Sequence, residues 1–396
     1  MTAEQVSKWA RRFVLSSAAF LLVWQFSVLL DYPRNIGVIL GVYGFVLHMI
    51  FGKAYSLLPS YFDRDLQWGQ APAFQLPLTV LGTICLSLGW VSGAPTWVKL
   101  LGSVLWTAGI IIFVGTILWT IRDNLLAVET ATSDVNVERK WIDRLANVFM
   151  LGPLAYLLIG SYQTLAMAIA LPTVISPGMP RTAHLLAAGV GALMIFAVGF
   201  RLLPRFLVAY PPRFAAVVVL PSGTIGPLLL AYSFRDGIIF QIGAILEAIA
   251  VVGFVGVYSY LFLQTDRNRI GFYGVLLAMG YAIVGIGLGL QFAFADISHQ
   301  LTTAHYRVNI LGFLGLTIVG VAYQFYPPGI GSKIGVSDGG GLASIGIIGA
   351  GLAIEMIGYF FSTTWISLVG TIIIIGGVAL YGYILVQLFL QRYDNL

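Results

Sequence analysis

Four histidines, His48, His184, His299 and His305, are the residues in this chain best suited to hold iron or copper. A neutral imidazole gives one lone pair to a metal while its second ring nitrogen carries a hydrogen, and imidazole is the usual axial ligand of haem iron. Two carboxylates, Glu247 in "GAILEAIAVVGF" and Glu355 in "GLAIEMIGYF", lie inside long apolar runs. There an isolated charge costs several kcal/mol unless it is paired, hydrated or protonated, so each is a candidate proton-relay or ion-site residue. The single cysteine, Cys85, excludes a disulfide framework and any Cys-based zinc or iron–sulfur site within the chain.

Only membrane helices can position these groups. The 396 residues are 59% hydrophobic and 9% charged, and mean hydropathy is +0.91. Apolar runs of about 20 residues, enough to cross roughly 30 Å of hydrocarbon, recur from Phe13 to Leu388. Turn residues and charges divide the chain into twelve spans, near 13–31, 36–58, 74–94, 98–121, 145–170, 183–203, 213–233, 237–263, 270–294, 300–326, 342–361 and 365–388. The segment after Lys8, Arg11 and Arg12 is long and lacks a small-residue cleavage site, so it reads as the first permanent span and not as a signal peptide. Basic clusters at Lys8/Arg11/Arg12, Arg64, Arg139/Lys140/Arg144, Arg201/Arg205/Arg213, Arg267/Arg269, Lys333 and Arg392 fall on one side, which predicts both termini inside the cell and a multi-pass protein of the cytoplasmic membrane. The net charge of +5 belongs to helix ends, so the lipid bilayer and no nucleic acid is the expected partner.

Three helix endings are alike: "MIFGKAYSLLP" at 49–59, "MIFAVGFRLLP" at 194–204 and "TIVGVAYQFYP" at 317–327 each place a small residue, an aromatic and a helix-stopping proline at the same offsets. A weaker echo joins "GSVLWTAGIIIFVG" from Gly102 to "GAILEAIAVVGFVG" from Gly243. The predicted fold is therefore an all-α polytopic membrane protein, twelve transmembrane helices in three pseudo-repeated four-helix units at about 1–128, 129–268 and 269–396, forming a single membrane domain. The polar stretch 122–144 reads as a solvated connector with a short amphipathic helix, the glycine-rich stretch 327–341 as a flexible link, and Tyr162 and Gln163 as lining for a polar cavity.

His48, His184 and His305 fall on helices 2, 6 and 10, the same helix of each unit. With this placement the sequence resembles subunit I of the haem-copper oxidase superfamily, the cytochrome oxidases and nitric oxide reductases, whose ligands lie on helices 2, 6, 7 and 10. The family's helix 2 haem ligand sits in a segment resembling "HMIF" with a proline eleven residues on, which matches His48 and Pro59. In "TAHYRVNILGFLGLTIVGVAYQFYP" the resemblance puts His305 on the high-spin haem ligand and Arg307 on the low-spin one. Helix 7, "FAAVVVLPSGTIGPLLLAYSF", lacks the family's histidine pair, and Ala188 stands four residues after His184 where the common oxidases have tyrosine. His184 is then the only candidate ligand near a second metal, which needs about three, so copper is not expected.

The resemblance implies haem b held by His48 and His305, with His184 lining the relic of the second-metal site. Starting helices 2 and 10 near Asn35 and Ile297, these two histidines lie roughly 20 and 12 Å below the outer face. A five-coordinate haem on either histidine alone is equally open, and Arg307 would then pair with a haem propionate or with lipid headgroups. The expected role is respiratory electron transfer or nitric-oxide handling, with a cytochrome- or cupredoxin-bearing companion subunit, because this chain has no soluble module to receive electrons. Whether the chain is an enzyme stays open. The alternative keeps the fold and drops the cofactor: a proton or ion transporter, channel or assembly protein using Glu247, Glu355 and His48.

Overall fold

The computed structural model describes residues 3–295 and 298–394. Ile297, the expected start of the tenth span, lies outside them, as does the side chain of Arg392. Twelve helices are long and apolar enough to cross a membrane: α1 Gln5–Leu29, α2 Arg34–Tyr61, α3 Ala71–Leu88, α4 Thr96–Ile121, α5 Asp134–Ile169, α6 Met179–Leu207, α7 Arg213–Tyr232, α8 Gly237–Gln264, α9 Ile270–Phe294, α10 His299–Ile330, α11 Asp338–Phe360 and α12 Thr364–Gln391. In hydrocarbon a helix satisfies its backbone hydrogen bonds internally, which is why apolar runs of this length take that form. Helix starts follow local chemistry. Extended prolines, Pro33, Pro95 and Pro212, precede α2, α4 and α7, and the Ser298 and Ser337 hydroxyls cap α10 and α11 by accepting from Leu301 N and Gly340 N.

Helices 2, 6 and 10 differ from the others in containing a wide-turned π-helical segment, Ile39–Val46, His184–Ala192 and Val308–Gly315. Such segments are rare and usually only one turn long. Their prolines behave differently from the expectation of a stop. Pro59 and Pro204 lie within the last turn, and the helix runs on to Tyr61 and Leu207; in α10 the α-helical turns end at Phe325, ahead of Pro327, and a 3₁₀ turn completes the span. A proline this close to the end removes one hydrogen bond without breaking the helix. The aromatics at the shared offset, Tyr55, Phe200 and Tyr323, are all buried.

The chain forms two compact units, one of Met1–Val14 with Leu47–Thr265 and the other of Leu15–Val46 with Asp266–Leu396. In the first unit α3 pairs closely with α4, and α7 with α8. Glycines allow this: a Cβ on Gly102 would lie 2.5 Å from Leu86 N, and one on Gly243 2.9 Å from Leu230 N. An aromatic cluster fills the space between α2, α4 and the start of α1, with Phe51 and Phe113 centroids 4.8 Å apart and Tyr55 and Phe113 5.2 Å apart. In the second unit α11 and α12 form the close pair, and α9 packs along α10. Tyr323 and Ser344 hydroxyls meet at 2.7 Å, and Tyr281 OH donates to Gly349 O at 2.7 Å.

The polar connector is less solvated than expected. Helix Lys140–Phe149 buries Ile142, Asp143, Ala146 and Asn147. Asp143 receives Arg205 through both oxygens at 2.9 and 2.6 Å, and Asn147 donates to Tyr61 O at 2.6 Å. Gln163 and Tyr162 tie down the loop after α5, since the Gln163 amide donates to Ile175 O and accepts from Val174 N, and Tyr162 OH donates to Pro172 O. The link 327–341 holds a 3₁₀ turn at Pro328–Ile330 and turns through Gly335 at a φ of +79°.

Two predictions follow from this packing. Gly102→Val overpacks the α3–α4 contact and lowers stability by about 1–3 kcal/mol, read as an earlier thermal unfolding midpoint in detergent; Gly115→Val, which meets nothing within 4 Å, leaves the midpoint in place. Outside the spans, the Arg64 guanidinium donates to both Asp123 oxygens at 3.0 and 3.2 Å and holds that carboxyl below the usual carboxylate range. A depressed carboxyl contributes stability above its unfolded pKa of about 3.9 and loses it as pH falls through the lower folded value. Asp123→Asn is therefore less stable than the parent at neutral pH by a small, salt-sensitive margin and equal to it in strong acid, which unfolding curves at the two pH values compare directly.

Candidate functional site

Arg307 sits at the point where α10 passes from ordinary α-turns into its wide segment, and its side chain is fully buried. Its Nε donates to both oxygens of Glu355 at 3.0 and 3.1 Å, and its Nη2 donates to Glu355 Oε2 at 2.9 Å and to Gln25 Oε1 at 2.7 Å. Glu355, also fully buried, accepts further bonds from Tyr359 OH at 3.1 Å and Thr371 Oγ1 at 3.3 Å. The guanidinium lies 4.8 Å from the Trp24 ring, and Trp24 Nε1 in turn donates to Tyr306 OH. A planar fork against a carboxylate is the geometry in which arginine binds best. The guanidinium Nη1 alone is buried without a hydrogen-bond partner. Arg307 is thus buried inside the unit with Nε and Nη2 engaged by Glu355 and Gln25.

His305 lies two residues earlier in the same unit. Its Nδ1 is 3.1 Å from Gly285 O on α9 and 3.2 Å from the Asn309 amide nitrogen, which also donates to the His305 carbonyl at 2.8 Å. Phe292 meets the ring edge-on at 5.3 Å. Hydrogen on Nδ1 would serve Gly285 O, and hydrogen on Nε2 would let Nδ1 accept from Asn309, so Nδ1 has a partner in either tautomer.

His48, His184 and Glu247 belong to the first unit and His299 to the second. His48 is fully buried and ringed by Phe13, Phe51 and Trp106 at centroid distances of 6.0, 5.9 and 6.4 Å. His48 and His305 therefore fall in different units. His184 directs Nδ1 at Pro180 O at 2.8 Å and packs on Phe234 at 5.4 Å. Exposed His299 lies 3.1 Å from an Arg34 nitrogen. Among the described residues no three His, Cys, Asp or Glu side chains converge as a metal site would require. Glu247 on α8 is 7% exposed and turns toward Gly226 of α7, where an added Cβ would come within 2.9 Å of its Oε2. That oxygen is buried without a hydrogen-bond partner. The two intramembrane carboxylates thus differ, Glu355 being saturated and Glu247 not.

The sequence reading missed Gln25, Tyr359 and Thr371, the uncharged partners of the ion pair. A polar residue inside an apolar span was their only signal, and it does not say which helix it faces. No family model matches this sequence, and a search of curated proteins finds no match.

Removing one member of a buried pair strands the other charge, at a cost of about 3–5 kcal/mol. Arg307→Met and Glu355→Gln are each expected to destabilise the protein by that amount in detergent unfolding, and Arg307→Met/Glu355→Met by clearly less than the sum. Single variants as stable as the parent would remove the ion pair from any structural role.

Proposed function

We propose that this chain is a divergent haem-copper oxidase subunit I-like membrane protein that holds one haem b through His305 and serves respiratory electron transfer or nitric-oxide handling in the cytoplasmic membrane. The second metal is absent from this reading. A haem held by a single imidazole supplies an open iron position for a diatomic gas. The observation that supports the assignment is the Nδ1 contact of His305 with Gly285 O at 3.1 Å, which in the Nδ1–H tautomer would present Nε2 to iron. Arg307 does not fit an axial role, since it is bound to Glu355 and Gln25. Three further features support the threefold arrangement with both termini inside: π-helical segments in helices 2, 6 and 10, close pairs α3–α4, α7–α8 and α11–α12, and the positive-inside pattern of basic residues. A cytochrome- or cupredoxin-bearing subunit would deliver electrons, and His184 would mark the relic of the second-metal site.

One observation favours a second reading without cofactor, a proton or ion path in the first unit: the buried, unpartnered Oε2 of Glu247. A visible spectrum of protein purified from haem-supplying cells separates the two. The first reading expects a Soret band that Arg307→Met retains, His48→Ala retains and His305→Ala abolishes; a featureless spectrum from folded protein ends it, and loss on His48→Ala alone moves the ligand to His48. The second expects no band and covalent labelling of Glu247 by a hydrophobic carbodiimide, abolished in Glu247→Gln, with ion-paired Glu355 left unlabelled.

A further inference from the structure

At one end of the first unit, α5, α6 and α7 surround a cavity of about 140 Å³ lined by Arg139, Arg205, Arg213, Ile142, Phe200 and Pro204, among others. The charges around it do not balance. Arg205 is neutralised by Asp143, whereas Arg139 approaches its nearest carboxylate, Glu138, only to 4.0 Å and stacks over the Tyr210 ring at 4.6 Å. Arg213 has no ion pair among the described residues. Neither has Arg201, one turn before Arg205, which is 3% exposed. Its guanidinium reaches only Asn147 Oδ1 at 3.1 Å and Thr130 O, with Tyr61 beneath it at 4.3 Å, and its Nε has no hydrogen-bond partner. Three guanidinium groups, Arg139, Arg205 and Arg213, thus face two carboxylates, Glu138 and Asp143, around the pocket, with Arg201 one turn further along α6 outside its lining. The excess positive charge lies on exposed Arg213 and half-buried Arg139, and it attracts an anion to the mouth of the cavity.

The rim indicates the kind of anion. Phe214, next to Arg213 in sequence, is 73% exposed, and Trp141, next to Ile142, is 44% exposed; exposed aromatics of this kind belong at the boundary between headgroups and acyl chains. We propose that this cavity holds the phosphate of an anionic phospholipid, with Arg139 and Arg213 as its phosphate ligands and Phe214 and Trp141 against its acyl chains. A basic pocket between membrane helices is a recurrent headgroup site. Free phosphate shares the charge chemistry and has no use for the rim.

The test uses the full chain, released into mild detergent from vesicles of phosphatidylcholine with or without phosphatidylglycerol, with retained lipid read by native mass spectrometry. The parent is expected to retain phosphatidylglycerol over phosphatidylcholine. Each lost arginine weakens retention roughly fivefold, so Arg139→Gln/Arg213→Gln loses about twenty-five-fold. Arg144→Gln, the same charge change at an exposed residue bonded to Leu126 O, retains lipid like the parent and controls for net charge. Equal retention of the two lipids, an unaffected double variant that elutes as folded protein, or an equal loss in Arg144→Gln overturns the proposal. Displacement of phosphatidylglycerol by inorganic phosphate alone overturns the lipid assignment.

Discussion

A polar group buried in hydrocarbon has no water to turn to, so it must find its partner within the protein. The backbone meets this demand by forming helices, and twelve of them result. Side chains meet it case by case. In the second unit Arg307 and Glu355 meet it for each other, with Gln25, Tyr359 and Thr371 completing the carboxylate and the fork. That arrangement joins residues of α1, α10, α11 and α12: a shift of α10 or α11 would separate the charges, and a shift of α1 or α12 would remove a neutral hydrogen-bond partner.

The first unit meets the same demand less completely. Arg205 and Asp143 form a tight pair that fastens the connector helix to α6, but Arg201 has only neutral oxygens, and Glu247 has one oxygen without a partner. Incomplete satisfaction of this kind marks a place for another species, an anion beside the arginines and a proton or cation at the carboxylate. The Glu355 carboxylate is the opposite case, with both of its oxygens accepting hydrogen bonds.

The histidines differ in their surroundings. His305 and His184 each have Nδ1 within hydrogen-bond distance of a backbone carbonyl. His48 packs among aromatic rings and is fully buried.

Length, hydropathy and charge in the sequence determined the class of fold, because the thickness of hydrocarbon sets how long an apolar run must be and leaves helices as its only form here. The alike endings of helices 2, 6 and 10 were also legible, down to the buried aromatics at Tyr55, Phe200 and Tyr323. Pairing across long distances was not. Nothing in "YRVNIL" shows that Arg307 points inward to meet "AIEMIG", or that Gln25 joins them, since a helix period of 3.6 gives the face but not the neighbour. Only the tertiary structure decided that Arg307 is an internal ion-pair member while Glu247 stands alone, because partner choice in a bundle depends on which faces of separate helices come within about 3 Å.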